Sequence, residues 1–209
     1  SSTSRGLGDV YKRQKDIRIH DFPHYGFDPH ENYYTGTPTV RLSITESLAD
    51  HNAVDGITTD NCLDSRIADN IADSNGRHGI NIVTAARNNL FENNIATQNG
   101  GNGITLQPGS GDLSRTSDSN SIVESNLSEN NSQELNDKHS GIYLDNDGTV
   151  FSTQNQVRSN LIRSAGSKRH RYGISEKNTG DDFNTYSSNS ISGSVRKPIN
   201  LIGPNSRIL

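Results

Sequence analysis

Asn70-Ile71-Ala72-Asp73-Ser74-Asn75-Gly76-Arg77-His78-Gly79-Ile80-Asn81-Ile82-Val83-Thr84 carries two short signatures, Asn before an apolar residue and Gly before an apolar residue, and both recur along the chain. The glycine copies are Tyr25-Gly26-Phe27, Asp55-Gly56-Ile57, His78-Gly79-Ile80, Asn102-Gly103-Ile104, Ser140-Gly141-Ile142 and Tyr172-Gly173-Ile174. Where they stand closest, from Gly56 to Gly79 to Gly103, the period is about two dozen residues; longer spacings imply insertions in surface loops. The asparagine copies are Asn70-Ile71, Asn94-Ile95, Asn126-Leu127 and Asn160-Leu161, each with an apolar residue four positions before its second member: Ile67, Phe91, Val123 and Val157.

Two ladders in phase, with two or three short strands per period and Asn and Gly at the turns, predict an all-β chain wound as a right-handed parallel β-helix. Asn suits such turns because it tolerates left-handed backbone angles and hydrogen-bonds its own backbone. Helical periodicity is absent over any useful length. The composition agrees: 29% hydrophobic residues and a mean hydropathy of -0.79 are low for a layered domain, but a solenoid core is one side chain thick per repeat. Disorder, the rival reading, would not hold two ladders in phase. The net charge of -4 is spread along the chain and selects no partner. Cys62 stands alone, which excludes a disulfide framework and reads as a small buried side chain. No apolar run is long enough to span a membrane.

Residues 1–14 match neither ladder and look like translated sequencing adapter, so the β-helix module is taken as 15–209, with its natural sequence expected to continue upstream and the solenoid truncated on that side.

One stretch departs from scaffold. His24-Tyr25-Gly26-Phe27-Asp28-Pro29-His30-Glu31 packs a phenol, carboxylates and imidazoles into a few residues. Equivalent positions on successive coils stack about 4.8 Å apart. Tyr25, Asp55 and His78 each precede the glycine of their coil and form one column; Asp28 falls in the column of Thr58 and Asn81, and His30 in that of Asp60. Strict alternation would turn Tyr25 inward with Phe27, so a bend at Gly26 must release it. Asp55 and Asp60 read equally as ligands of sugar hydroxyls or a cation and as turn caps. The basic run Lys168-Arg169-His170-Arg171 offers Lys168, Arg169 and Arg171 to a polyanionic substrate, or forms a solvated loop. Asp145-Asn146-Asp147-Gly148 lacks the spacing of a calcium loop and reads as a turn.

Tyr25-Gly26-Phe27-Asp28-Pro29-His30-Glu31, Asp55-Gly56, Arg77-His78-Gly79-Ile80-Asn81-Ile82-Val83-Thr84 and Tyr172-Gly173-Ile174-Ser175-Glu176 resemble, in the same order, the catalytic module of secreted bacterial mannuronan C5-epimerases. The resemblance runs from about Asp16 to Pro204. It implies an isomerase working on alginate, a polyuronate, in a groove along the β-helix, located outside the bacterial cell and often dependent on Ca2+. It carries the family's catalytic tyrosine, aspartate and histidine onto Tyr25, Asp28 and His30, and its arginine-histidine pair onto Arg77 and His78. It identifies no calcium ligand. A monomer is expected, with neither nucleic acid nor membrane as partner. The chain departs from the family in an extra stretch at about Asn32 to Pro38, in lacking an upstream lysine, and in having only a partial copy of the calcium-binding nonapeptide at Asn99-Gly100-Gly101-Asn102-Gly103.

The chemistry explains why such residues are needed. Inverting C5 of mannuronate removes a proton alpha to a carboxylate and returns one to the opposite face. The carboxylate must be neutralised, a task for Arg77, and a base and an acid must flank the ring. His30 as base and Tyr25 as donor is the favoured assignment and the reverse is the alternative, with His78 able to share either role and Asp28 either orienting an imidazole or lowering the charge cost near the substrate carboxylate. If the C4 oxygen leaves before C5 is reprotonated, the outcome is the β-elimination of an alginate lyase. A third reading is a β-helix that holds carbohydrate without turning it over.

Overall fold

The computed structural model describes residues 13–29, 37–108 and 118–209. Among them there is no helix, and every strand pairing is parallel. Three sheets run the length of the molecule, with eight, six and seven strands, and each coil contributes one strand to each sheet in the central part. Strand-to-strand crossovers of this kind are right-handed, and the molecule is a right-handed parallel β-helix. The site-bearing sheet stacks Ile57–Asp60, Ile80–Val83, Ile104–Gln107, Ile142–Leu144, Tyr172–Glu176 and Lys197–Asn200.

The interior consists of columns. Ile57, Ile80, Ile104, Ile142 and Ile174 stack in register, as do Ile44, Ile67, Phe91, Val123 and Val157, all with no exposed surface. The third sheet contributes Ala49, Ala72 and Ala96. One or two inward positions per strand thus make the whole core, which is why so polar a chain folds. Cys62 is buried among them, as expected.

Asparagine closes the turns, though not by the route expected. The ladder asparagines are buried, and the left-handed residues are those just before them: Asp69, Asn93, Ser125 and Ser159, with φ of 59°, 54°, 54° and 56°. The asparagine side chain instead bridges coils. Asn94 Oδ1 accepts the Asn70 backbone N–H at 3.1 Å and its Nδ2 at 3.0 Å, while Asn94 Nδ2 donates to the Ile67 carbonyl at 2.8 Å. Each buried turn amide finds a partner one coil away. Two further ladders escaped the sequence reading, Asn52-Asn75-Asn99-Asn131 and a mixed one through Asn89, Ser121, Asn155 and Asn184.

The boundary drawn at residue 15 falls within a strand, since Arg13–Lys15 pairs with Ser43–Thr45; residues 1–12 lie outside the described residues.

Candidate active site

The glycine column bends each coil as it enters the site-bearing sheet. These glycines press on the ladder beneath: a Cβ on Gly79 would lie 2.7 Å from Asn99 Nδ2 and 2.8 Å from the Ala96 Cβ. Of the residues that precede them, Asp55 and His78 are buried. Gly26 donates to the Asp55 carbonyl and Gly56 to that of His78, so Tyr25, Asp55 and His78 share one column. Tyr25 is half-buried and faces Arg77, whose Cζ lies 5.9 Å from its ring centre.

Asp55 is the hub. Its side chain is fully buried and accepts five hydrogen bonds: Arg77 Nε and the His78 backbone N–H on Oδ1 at 2.8 and 2.9 Å, and Arg77 Nη2, Asn81 Nδ2 and Thr58 Oγ1 on Oδ2 at 2.6, 2.9 and 3.2 Å. Burial opposes its ionisation, but the Arg77 hydrogen bonds and the positive charge beside it prevail and hold its pKa below the usual carboxylate range. The same bonds raise Arg77, with Tyr25 adding to the effect. Asp55 thus fixes the Arg77 guanidinium, and both of its oxygens are engaged within the protein. It occupies the Nε–Nη2 edge of a guanidinium whose side chain is 41% exposed, and Tyr25 makes a further hydrogen-bonding contact with Arg77.

His78 is 8% exposed, and burial pushes its pKa down to about 4. Its Nδ1 accepts the Asn102 backbone N–H at 3.0 Å. A neutral ring that accepts on Nδ1 carries its proton on Nε2, which makes His78 a hydrogen-bond donor and removes it from the candidates for base. Gly101 makes room for this contact, because a Cβ there would stand 2.7 Å from Nδ1.

The other sequence candidates separate. Asp28 takes its expected register beside Thr58, next to the Phe27–Ile57 bridge. Asp60 lies half-buried in register with Val83, and its charge reaches buried Asp118. His30 lies outside the described residues. Arg171 lines a cavity of about 370 Å³ that continues the same face toward the C-terminal end, with His139, Tyr143 and Lys177. Lys168 and Arg169 do not line it: the Lys168 ammonium binds the Gln133 carbonyl and the Arg169 backbone binds Asn136. Asp145-Asn146-Asp147-Gly148 is a turn, in which Asp147 Oδ1 caps the Thr149 and Val150 amides and Asp145 pairs with Lys177 at 2.8 Å. Among the described residues no three His, Cys, Asp or Glu side chains converge on a point that would hold a metal ion.

Sequence reading missed Thr58 and Asn81 as partners of Asp55, and the Asn102–His78 contact. The column assignment held the signal for the first two, since both lie beside the Asp55 column. Nothing in the sequence signals a backbone N–H aimed at an imidazole.

A family model described as a right-handed β-helix region matches residues 36–118. Three proteins of Azotobacter vinelandii are similar in sequence. Mannuronan C5-epimerase AlgE2 is 37% identical over 102 residues, covering 49% of this chain and 10% of its own. Mannuronan C5-epimerase AlgE4 is 30% identical over 247 residues, 92% of this chain and 42% of its own, and alginate lyase 7 is 30% identical over 245 residues, 91% and 27%. The chain thus spans less than half the length of these relatives. The solved AlgE4 A-module superposes with a TM-score of 0.56 at 25% identity, over 94% of this chain and 64% of that one.

Proposed function

We propose that this chain, a mannuronan C5-epimerase-like β-helix module, modifies alginate by epimerising mannuronate to guluronate at C5 within the polymer. The observation that carries the reading is the edge of Arg77 that Asp55 does not occupy, on a guanidinium keyed by Asp55, contacted by the Tyr25 phenol and neighboured by the neutral His78. A uronate carboxylate set against that edge receives two charge-assisted hydrogen bonds, and His78 Nε2–H supplies a further donor. These donors favour the enolate over the ground-state carboxylate, because a second negative charge develops there as the C5 proton leaves. With His78 confined to donation, Tyr25 and His30 remain as the pair that removes and returns the proton, in either order, with Asp28 three residues after Tyr25 in the sequence. Return of a proton to the opposite face of C5 completes epimerisation.

Loss of the C4 oxygen from the same enolate would instead cleave the chain, and the similarity to alginate lyase 7 as well as to epimerases keeps elimination as a second reading.

Proton NMR of polymannuronate incubated with the protein and calcium separates the outcomes. New guluronate signals, reduced by about two to four orders of magnitude in rate by Tyr25→Phe or His30→Ala, support the epimerase. Unsaturated uronate ends make it a lyase, and an unchanged spectrum with retained binding leaves a carbohydrate-binding module.

A further inference from the structure

Arg77 and Arg171 occupy the same register position on coils three apart. Each stands three residues before an isoleucine of one column, Ile80 and Ile174, and the column runs Ile80, Ile104, Ile142, Ile174 without a gap. Counted back from Ile104 and Ile142, the intervening residues are Gly101, whose N–H bonds the Arg77 carbonyl, and His139, whose carbonyl accepts the Arg171 N–H, while Ser132 bonds the Gly101 carbonyl. Three coil steps separate the two guanidinium-bearing positions by about 14 Å, along a face that is continuous from Asn102 through His139 into the cavity lined by Arg171.

Of the cations that line this cavity, Arg171 alone makes no direct ion pair with a carboxylate among the described residues, although its charge reaches Asp137, which Arg196 already holds. Lys138 pairs with Glu134 at 3.3 Å and Lys177 with Asp145 at 2.8 Å. On the next coil at the same position, Arg196 is engaged by Asp137 at 2.8 Å. Arg171 is propped over the Tyr172 ring, its Cζ 5.6 Å from the ring centre, which orders the side chain while leaving its hydrogen-bond donors unspent.

We infer that Arg171 is a second carboxylate-reading site, which holds the uronate unit three positions along the polymer from the unit seated at Arg77. The inference rests on the polyuronate reading proposed above. Its physical basis is the match of repeats: an extended 1,4-linked pyranose chain advances by roughly one coil spacing per sugar, so a chain lying along the solenoid axis with a threefold twist brings one unit to each coil and returns the carboxylate to the same side every third unit. Arg77 and Arg171 then read units i and i+3, and the minimum ligand that spans both is a tetramer. Shorter chains reach one arginine only.

The test is isothermal titration of mannuronate oligomers, trimer against hexamer, with the wild-type chain, Arg171→Ala and, as a charge control on another sheet, Arg163→Ala. The hexamer is expected to bind roughly tenfold more tightly than the trimer, the worth of one charge-assisted contact. Arg171→Ala should remove that advantage without weakening trimer binding, and Arg163→Ala should preserve it. Equal affinity of trimer and hexamer in the wild type, or an unchanged hexamer advantage in Arg171→Ala, overturns the inference. Failure of every uronate oligomer to bind overturns the polyuronate reading itself.

Discussion

Asp55 holds one edge of the Arg77 guanidinium, Nε on Oδ1 at 2.8 Å and Nη2 on Oδ2 at 2.6 Å, from a position with no exposed side-chain surface. The buried partner sets the geometry and the half-exposed partner presents it. Asp55→Asn keeps the volume but removes the charge and one acceptor, so Arg77 should swing free. The expected result is a loss of at least about a hundredfold in rate, with destabilisation of about 2 kcal/mol, less than for a fully buried pair because Arg77 is partly solvated. Since the folded-state pKa of Asp55 is depressed, its contribution is full above the unfolded value near 4 and is lost as pH falls. Urea unfolding at pH 7 and pH 3 checks this: the difference between variant and wild type should shrink at the lower pH.

His78 should not titrate between pH 5 and 8. Its Nδ1 is an acceptor and its pKa is held at about 4 by burial. Nitrogen-15 NMR should show a pyridine-like Nδ1 and a pyrrole-like Nε2 throughout that range. A pyrrole-like Nδ1 would return His78 to the candidates for base.

His170 interrupts an asparagine ladder. Asn131 N–H donates to its Nε2 at 3.0 Å, leaving Nδ1 buried without a partner, and burial lowers its pKa to about 4. His170→Asn extends the series Asn52-Asn75-Asn99-Asn131 by one member and should raise stability by about 1 kcal/mol at pH 7. With His78 and His170 both depressed, the unfolded chain binds more protons below pH 6.5, so stability falls between pH 6.5 and 4. The His170→Asn variant should lose part of that slope in thermal melts across the range; an unaltered slope refutes the assignment.

Asp118 carries the opposite sign. Oδ1 accepts the Ala86 N–H at 2.9 Å, but Oδ2 is buried with no partner, and burial, followed by the Asp60 charge, pushes the pKa well above the usual carboxylate range. A raised folded-state pKa means that stability declines as pH rises above about 4. Asp118→Asn removes this penalty and should stabilise the protein by about 2 kcal/mol at pH 8 with little effect at pH 4. Equal effects at the two values would show that the carboxyl titrates normally.

The periodicity determined the architecture without any help from tertiary contacts. A solenoid coil meets only its neighbours, so the requirement that like residues stack is written directly into the spacing of Gly26, Gly56, Gly79 and Gly103 and of Asn70, Asn94 and Asn126. For the same reason the column of Tyr25, Asp55 and His78 was legible. Three things were decided only in the folded molecule. Asp55 turned out to be buried beneath Arg77, the His78 proton was assigned to Nε2 by the Asn102 N–H, and Arg171, rather than Lys168 or Arg169, reached the groove. Register fixes which Cα atoms stack, but burial, tautomer and the pairing of charges depend on where side-chain ends meet across coils, and that is set by packing within a few ångströms rather than by sequence period.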